Sequence, residues 1–132
     1  DAFAMIRGGH IDAAVLGALQ VSEKGDLANW MLPERGIGNV GGAMDLAAGA
    51  RRIIVAMEHT DRNGRPKIVK ECGYPLTGRE CVSLIVTDVA VIEVAPNGLV
   101  LTETAPGWTA ADVQAETEPR LIVAPDLTDM EL

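Results

Sequence analysis

Aromatic side chains are almost missing from this chain: two Trp, one Tyr and one Phe make up 3% of its 132 residues. A core of ordinary size must then be filled by Ala, Val, Ile and Leu, since 48% of the residues are hydrophobic. That composition suits a sheet covered by helices, where close packing favours small aliphatic groups. Positive charge is also scarce. Eleven Lys and Arg face 19 Asp and Glu, for a net charge of −8. No basic stripe exists to neutralise phosphates, which excludes a nucleic-acid partner. The acidity bears on solubility and does not identify a substrate. Cysteine is limited to Cys72 and Cys81, at a spacing that fits no zinc signature and far in sequence from His10 and His59, so no metal site is expected. With no signal peptide ahead of them, the two thiols predict a reduced, cytoplasmic setting. No apolar run reaches the roughly 18 residues that span a bilayer, which argues against a membrane protein.

What the chain does contain is a paired glycine in a telling place. Asn39-Val40-Gly41-Gly42 opens an Ala/Leu-rich run, Ala43 to Ala50, that reads as helix, and Ile53 to Met57 follows as a buried strand. Two adjacent glycines let the backbone take positive φ and let another group approach closely. At a helix start they leave unpaired N–H groups aimed outward, a ready site for a carboxylate, a phosphate or a developing oxyanion. The plain alternative is a tight turn before a helix, with no ligand.

The rest of the chain reads as follows. Asp1 to Arg7 predicts an amphipathic helix stopped by Gly8-Gly9. With no initiator Met, a chain that opens inside a helix looks cut from something longer. Ile11 to Leu19 is strand or helix, which periodicity cannot decide. Ser22 to Asp26 is a polar turn, Leu27 to Leu32 an extended segment, and Glu34 to Val40 a loop. Helix-to-strand alternation after Gly41-Gly42 favours a mainly parallel, covered sheet. Ile68-Val69 is a short apolar piece. Arg79 to Val86 predicts a helix starting after Thr77-Gly78. Val89 to Val94 and Leu99 to Thr104 form a hairpin around Pro96-Asn97-Gly98. Thr109 caps a helix to about Glu116, with Asp112 completing a capping box. Leu121 to Val123 is a last strand. The fold class expected is α/β: an open, mainly parallel sheet with helices on its faces and a C-terminal β-hairpin, in one domain over residues 1–125. An acidic tail, residues 126–132, should be solvated and poorly ordered.

Several strings, in order, carry a resemblance. Met5-Ile6-Arg7-Gly8-Gly9-His10-Ile11-Asp12, Gly25-Asp26-Leu27-Ala28-Asn29-Trp30-Met31, Gly41-Gly42-Ala43-Met44-Asp45-Leu46, Met57-Glu58-His59 and Pro75-Leu76-Thr77-Gly78 resemble the β subunit of family I coenzyme A transferases, the group of the 3-oxoacid and 3-oxoadipate CoA-transferases. The resemblance runs from Asp1 to about Gly107. It implies ping-pong transfer of CoA between carboxylic acids, a 3-oxoacid and a dicarboxylate such as succinate, through a glutamyl-CoA thioester. It implies CoA as a substrate with no permanently bound cofactor, an α subunit as partner in a hetero-oligomer, and acyl-CoA and carboxylic acids as ligands. Gly41 and Gly42 carry over as the oxyanion side of the site. The family nucleophile is the glutamate of a Ser-Glu-Asn-Gly motif upstream of the Gly-Gly-His segment. These 132 residues do not include that motif, so the stretch alone is expected to be inactive. Ser22-Glu23-Lys24-Gly25 looks similar but is a decoy, with Glu23 a solvated turn residue.

Candidate substrate-binding residues are His10, Asn29, Met44, Glu58 and Asp88. His10 follows the first glycine pair and, by the resemblance, lies near the cleft; the alternative is a ring tied to a nearby carbonyl. Asn29, with Trp30, lines the acyl pocket or packs in the core. Met44 sits in the matched glycine string. Glu58 and His59 end a strand, where ligands of open α/β sheets bind, although a structural ion pair fits as well. Asp88 resembles an acidic position that faces the site in this family. Cys72 and Cys81 are expected to be packing residues. A carboxylate- or nucleotide-binding module without chemistry, or a structural subunit, are the readings that compete with a transferase.

Overall fold

The computed structural model describes residues 3–7, 11–28 and 52–130, with 3–7 and 11–13 described in the backbone only. A seven-stranded sheet runs in the order β1 (Phe3–Arg7), β2 (Ile11–Leu16), β5 (Arg52–Ala56), β7 (Val82–Val86), β8 (Ala90–Ala95), β9 (Gly98–Thr104), β10 (Leu121–Asp129). A smaller sheet holds β4 (Leu27–Ala28), β3 (Gln20–Ser22) and β6 (Ile68–Val69). One helix, α1 (Ala110–Ala115), lies among the described residues.

The class is α/β, as expected, but the sheet is mixed. β2/β5, β5/β7 and β9/β10 pair parallel, while β1/β2, β7/β8 and β8/β9 pair antiparallel. Connection length explains the split. Three residues separate β1 from β2 and β7 from β8, and two separate β8 from β9. None of these links is long enough for the crossover a parallel pair requires.

Two helices expected from sequence are strands. Asp1 to Arg7 contains β1, paired with β2 from Phe3↔Leu16 to Arg7↔Ile11. Arg79 to Val86 contains β7. Each stretch is too short to hold a helix alone, and Val82, Ile85 and Val86 lose χ1 freedom in one. The chain before β7 also bends away from helix: Glu80 has φ 48, and its N–H donates to Asp26 Oδ1 at 2.9 Å.

Other expectations hold. Ile53 to Met57 is β5, shifted by one residue. The hairpin is present, with Pro96-Asn97 as its turn and Gly98 at φ 135 opening β9. The capping box is complete: Asp112 N donates to Thr109 Oγ1 at 3.1 Å and Thr109 N to Asp112 Oδ2 at 2.9 Å. Asp126 and Asp129 are exposed but belong to β10, which runs through the start of the expected tail. Met130 N closes it against Thr104 O at 2.7 Å. Leu127 and Met130 pack on the core, and that contact orders the segment. The expected helix from Ala43 and loop from Glu34 lie outside the described residues.

The core is aliphatic throughout: Leu16, Val21, Ile53, Val55, Ile68, Ile85, Ile92, Leu99, Leu101 and Val113 are all at most 2% exposed. The Ser22–Asp26 turn locks the small sheet to the large one. Gly25, at φ 86, accepts at its carbonyl from Cys81 N and Val82 N, both at 3.1 Å. A Cβ there would stand 3.0 Å from Val82 O, so this approach requires glycine. No described helix is long and apolar enough to cross a membrane.

Candidate active-site cleft at the strand ends

β2, β5 and β7 run in the same direction, so the segments after Leu16, Ala56 and Val86 gather at one end of the sheet. Ala56 pairs with Val86. Glu58 and Asp88 therefore each follow by two residues on neighbouring parallel strands, and both are exposed. Both are candidates from sequence, and the structure brings them side by side. His59 N donates to Asp88 Oδ1 at 2.9 Å, which holds the second loop against the first.

A cleft of about 450 Å³ opens here, lined by Gln20, Glu58, Thr60, Arg62, Lys67 and Tyr74 among others. Ligand clefts of α/β sheets form at this end of the strands. Lys67 is half-buried, and burial pushes its ammonium below the usual lysine range, while Glu58, Asp61 and Asp88 pull it back up. The Asp61 carboxylate is lowered chiefly by the N–H groups of its own turn, with Arg65 N at 3.0 Å and Asn63 N at 2.8 Å. A second cleft, about 510 Å³, lies at the opposite end of β7 beside the 96–97 turn, remote from these groups. Glu23 is exposed in its turn and lines that cleft, apart from Glu58 and Asp88.

His59 does not form the ion pair considered from sequence. It is 2% exposed, and its ring meets two threonines. Nδ1 lies 2.9 Å from Thr87 Oγ1 and Nε2 lies 2.8 Å from Thr117 Oγ1. Thr117 Oγ1 donates its one proton to Val113 O at 2.7 Å, so towards His59 it accepts, and Nε2 carries the hydrogen. Thr87 Oγ1 accepts from Val89 N at 3.2 Å and Ala90 N at 3.0 Å, and it donates to the bare Nδ1. Burial lowers the imidazole below its ordinary 6.5, and Asp88 offsets only part of this. The folded protein then binds fewer protons than the unfolded chain below pH 6.5, so acid favours unfolding. Stability of the full-length protein should fall by up to about 1.4 kcal/mol per pH unit below that point. Urea unfolding at pH 7.5, 6.5 and 5.5 measures this, and His59→Gln should flatten the slope.

Sequence reasoning misses Gln20, Lys67, Tyr74, Thr87 and Thr117. A Thr-Asp pair just before a strand marks a turn and is a usable signal for Thr87. Nothing local distinguishes Thr117, 58 residues from its partner. The expected site residues Gly41, Gly42, His10, Asn29 and Met44 lie outside the described residues.

Cys81 packs against the core, and the half-buried Cys72 thiol donates to Asp26 O at 3.7 Å. Burial raises Cys81, and burial with the nearby Asp26 carboxylate raises Cys72 from 9.0 to about 11. For Cys72 that cuts the thiolate population about 100-fold, and higher intrinsic nucleophilicity returns about 10-fold. Iodoacetamide should therefore label Cys72 at least about 10-fold more slowly than a free cysteine, as peptide mapping would report. Among the described residues no group of His, Cys, Asp or Glu is arranged to hold a metal.

Comparison with known proteins bears on this geometry. A family profile described as coenzyme A transferase matches residues 1–116. The β subunit of the succinyl-CoA:3-ketoacid coenzyme A transferase of Helicobacter pylori is 51% identical over 118 residues, covering 89% of this chain and 57% of that protein. The β subunit of the 3-oxoadipate CoA-transferase of Pseudomonas putida is 61% identical over 104 residues, covering 78% and 49%. The chain thus spans about half the length of these relatives. Among solved structures, an acyl-CoA transferase of Escherichia coli O157:H7 superposes with a TM-score of 0.76 at 21% identity, over 92% of this chain and 28% of that one. The decarboxylase AibA/AibB superposes at 0.68 with 23% identity, over 92% and 52%, so the fold alone does not select a chemistry. The profile match and the identities to transferase β subunits do select a family: the chain belongs to the coenzyme A transferases.

Proposed function

We propose that this chain is the oxyanion-side portion of a CoA-transferase β subunit that moves CoA between a 3-oxoacid and a dicarboxylate such as succinate. The observation that carries this reading is the 61% identity to the β subunit of a 3-oxoadipate CoA-transferase, extending over 104 residues. CoA is a substrate here, and an α subunit completes the site in a hetero-oligomer.

The chemistry sets what each part must do. A glutamate carboxylate attacks the acyl-CoA carbonyl, the thiolate leaves, and the mixed anhydride is then opened by that thiolate to give glutamyl-CoA and the free acid. The incoming acid repeats the sequence in reverse. Negative charge develops on a carbonyl oxygen in every step, and fixed N–H donors there are worth about 3 kcal/mol. Gly41 and Gly42 are assigned that role. The strand-end cleft, with Glu58 in its wall and Asp88 on the adjoining strand end, is assigned to substrate binding, and His10, Asn29 and Met44 are assigned to it on the resemblance. Glu23 is given no part, because it is exposed beside the other cleft. The nucleophile is assigned to a Ser-Glu-Asn-Gly segment, a string these 132 residues do not contain.

The test is turnover by the full-length subunit co-expressed with its α partner. Succinyl-CoA is supplied with acetoacetate or 3-oxoadipate, and CoA transfer is followed with each. Transfer to either acid supports the reading, and the ratio of kcat/KM values assigns the substrate. Binding of CoA without transfer to any acid would favour a non-catalytic module instead.

A further inference from the structure

The segment Glu58-His59-Thr60 has an alternating character. Glu58 and Thr60 line the strand-end cleft, while His59 between them is turned into the protein and is 2% exposed. Three chain segments meet on that one residue. Its backbone N–H holds Asp88 and its carbonyl accepts from Lys67 N at 3.1 Å. Its ring holds Thr87, at the turn that carries Asp88, and Thr117, in the connection from α1 to β10.

The hydrogen-bond directions admit only one form of the ring. Thr87 Oγ1 already accepts from two backbone N–H groups, which uses both of its lone pairs. A second ring proton, on Nδ1, would find no acceptor there. Rotating the Thr87 hydroxyl towards Ala90 O, 3.4 Å away, would not free one. The cradle is therefore built for neutral imidazole protonated at Nε2, independently of any effect of burial.

We propose that His59 is a positioning residue of the transferase: its neutral ring, bonded at both nitrogens, ties the α1–β10 connection to the cleft wall and sets Glu58 and Asp88 in place. This rests on the function proposed above. It assigns to Thr117, on the far side of the sequence, a role in catalysis without contact with substrate. Protonation of the ring breaks the tie. The charged groups around it are Asp88 from the β7–β8 turn, Glu58 and Lys67 from the cleft wall, and Glu118 beside Thr117, whose carboxylate accepts from Lys70 N at 2.8 Å. None of these bonds the ring.

The experiment compares wild type, Thr117→Val, His59→Gln and His59→Leu in the full-length transferase with its partner. Thr117→Val keeps the shape and removes the ring's acceptor. At pH 7.5, with folding verified by circular dichroism, kcat/KM should fall about 10- to 100-fold in Thr117→Val and His59→Leu, the size of a small misplacement of site groups. His59→Gln keeps an N–H for Thr117 and should recover part of the loss. It should also lack the fall in kcat/KM that wild type shows in acid as the ring takes up its second proton. Long-range ¹H–¹⁵N spectra of histidine-labelled protein should show at pH 7.5 a neutral Nε2–H ring that disappears in His59→Gln. Lowered melting temperatures with unchanged kcat/KM and pH profile would overturn the proposal, as would an imidazolium or an Nδ1–H ring at pH 7.5. If the wild type transfers no CoA, the function reading falls, and the carboxyl ¹³C shifts of Glu58 and Asp88 decide the positioning role. They should move in Thr117→Val, and unmoved shifts would refute it.

Discussion

Replacing Gly41 or Gly42 by proline in the full-length transferase should lower kcat about 100- to 1,000-fold, the effect of removing one preorganised oxyanion donor. Proline deletes the backbone N–H, and it also fixes φ at about −65° and restricts the preceding residue. In the proposed role the donor would act on charge that exists only at the transition state, so KM for acyl-CoA should change far less than kcat. Alanine at the same positions keeps the N–H. Its effect reports only the cost of a Cβ and of any positive φ, so the proline-to-alanine ratio reports the lost N–H together with proline's own backbone restriction. Steady-state kinetics on both pairs of variants would measure it. Equal losses for proline and alanine would mean that space, and not an N–H, is what the glycines provide.

Ile85→Ala should destabilise the fold by about 3–4 kcal/mol, within the range for aliphatic-to-alanine changes in a packed core. Ile85 is 0% exposed in β7, between β5 and β8, and pairs with Val55 and Ile92, which are also fully buried. The cavity opens where three strands contribute side chains, and sheet hydrogen bonds prevent the backbone from closing over it. By contrast Glu93→Ala, on exposed β8 surface opposite Leu84, should stay within about 0.5 kcal/mol. Chemical denaturation of both variants gives the comparison.

The same strand marks how far local pattern can be trusted. The 96–98 hairpin, the Thr109–Asp112 capping box and β5 are legible because each is specified by its own residues: turn formers, a cap pair and a β-branched run. β1 and β7 read as helices in isolation because their neighbours specify them. β7 is inserted between β5 and β8, and Thr77-Gly78 resembles a helix start only while that environment is unseen. Of the candidate site, Glu58 is singled out by its place at a strand end and Asp88 by the resemblance, and the parallel register of β5 and β7 puts them on neighbouring strand ends. His59 stands out in the sequence, but its role does not, because the partner that defines it is Thr117, 58 residues away. Lys67 escapes for the same reason: the cleft it lines is built from residues 19–20, 58, 60–62, 66–67 and 74, and only the folded chain assembles them.

The central claim is that CoA is carried on a glutamate outside the 22–25 turn while this chain supports the oxyanion. Incubating the full-length protein and its partner with succinyl-CoA, without acceptor acid, and mapping the trapped adduct by peptide mass spectrometry tests it most directly. CoA on the glutamate of a Ser-Glu-Asn-Gly segment, with Glu23 unmodified, is the result predicted. CoA on Glu23, or turnover with no glutamyl adduct at all, would contradict it.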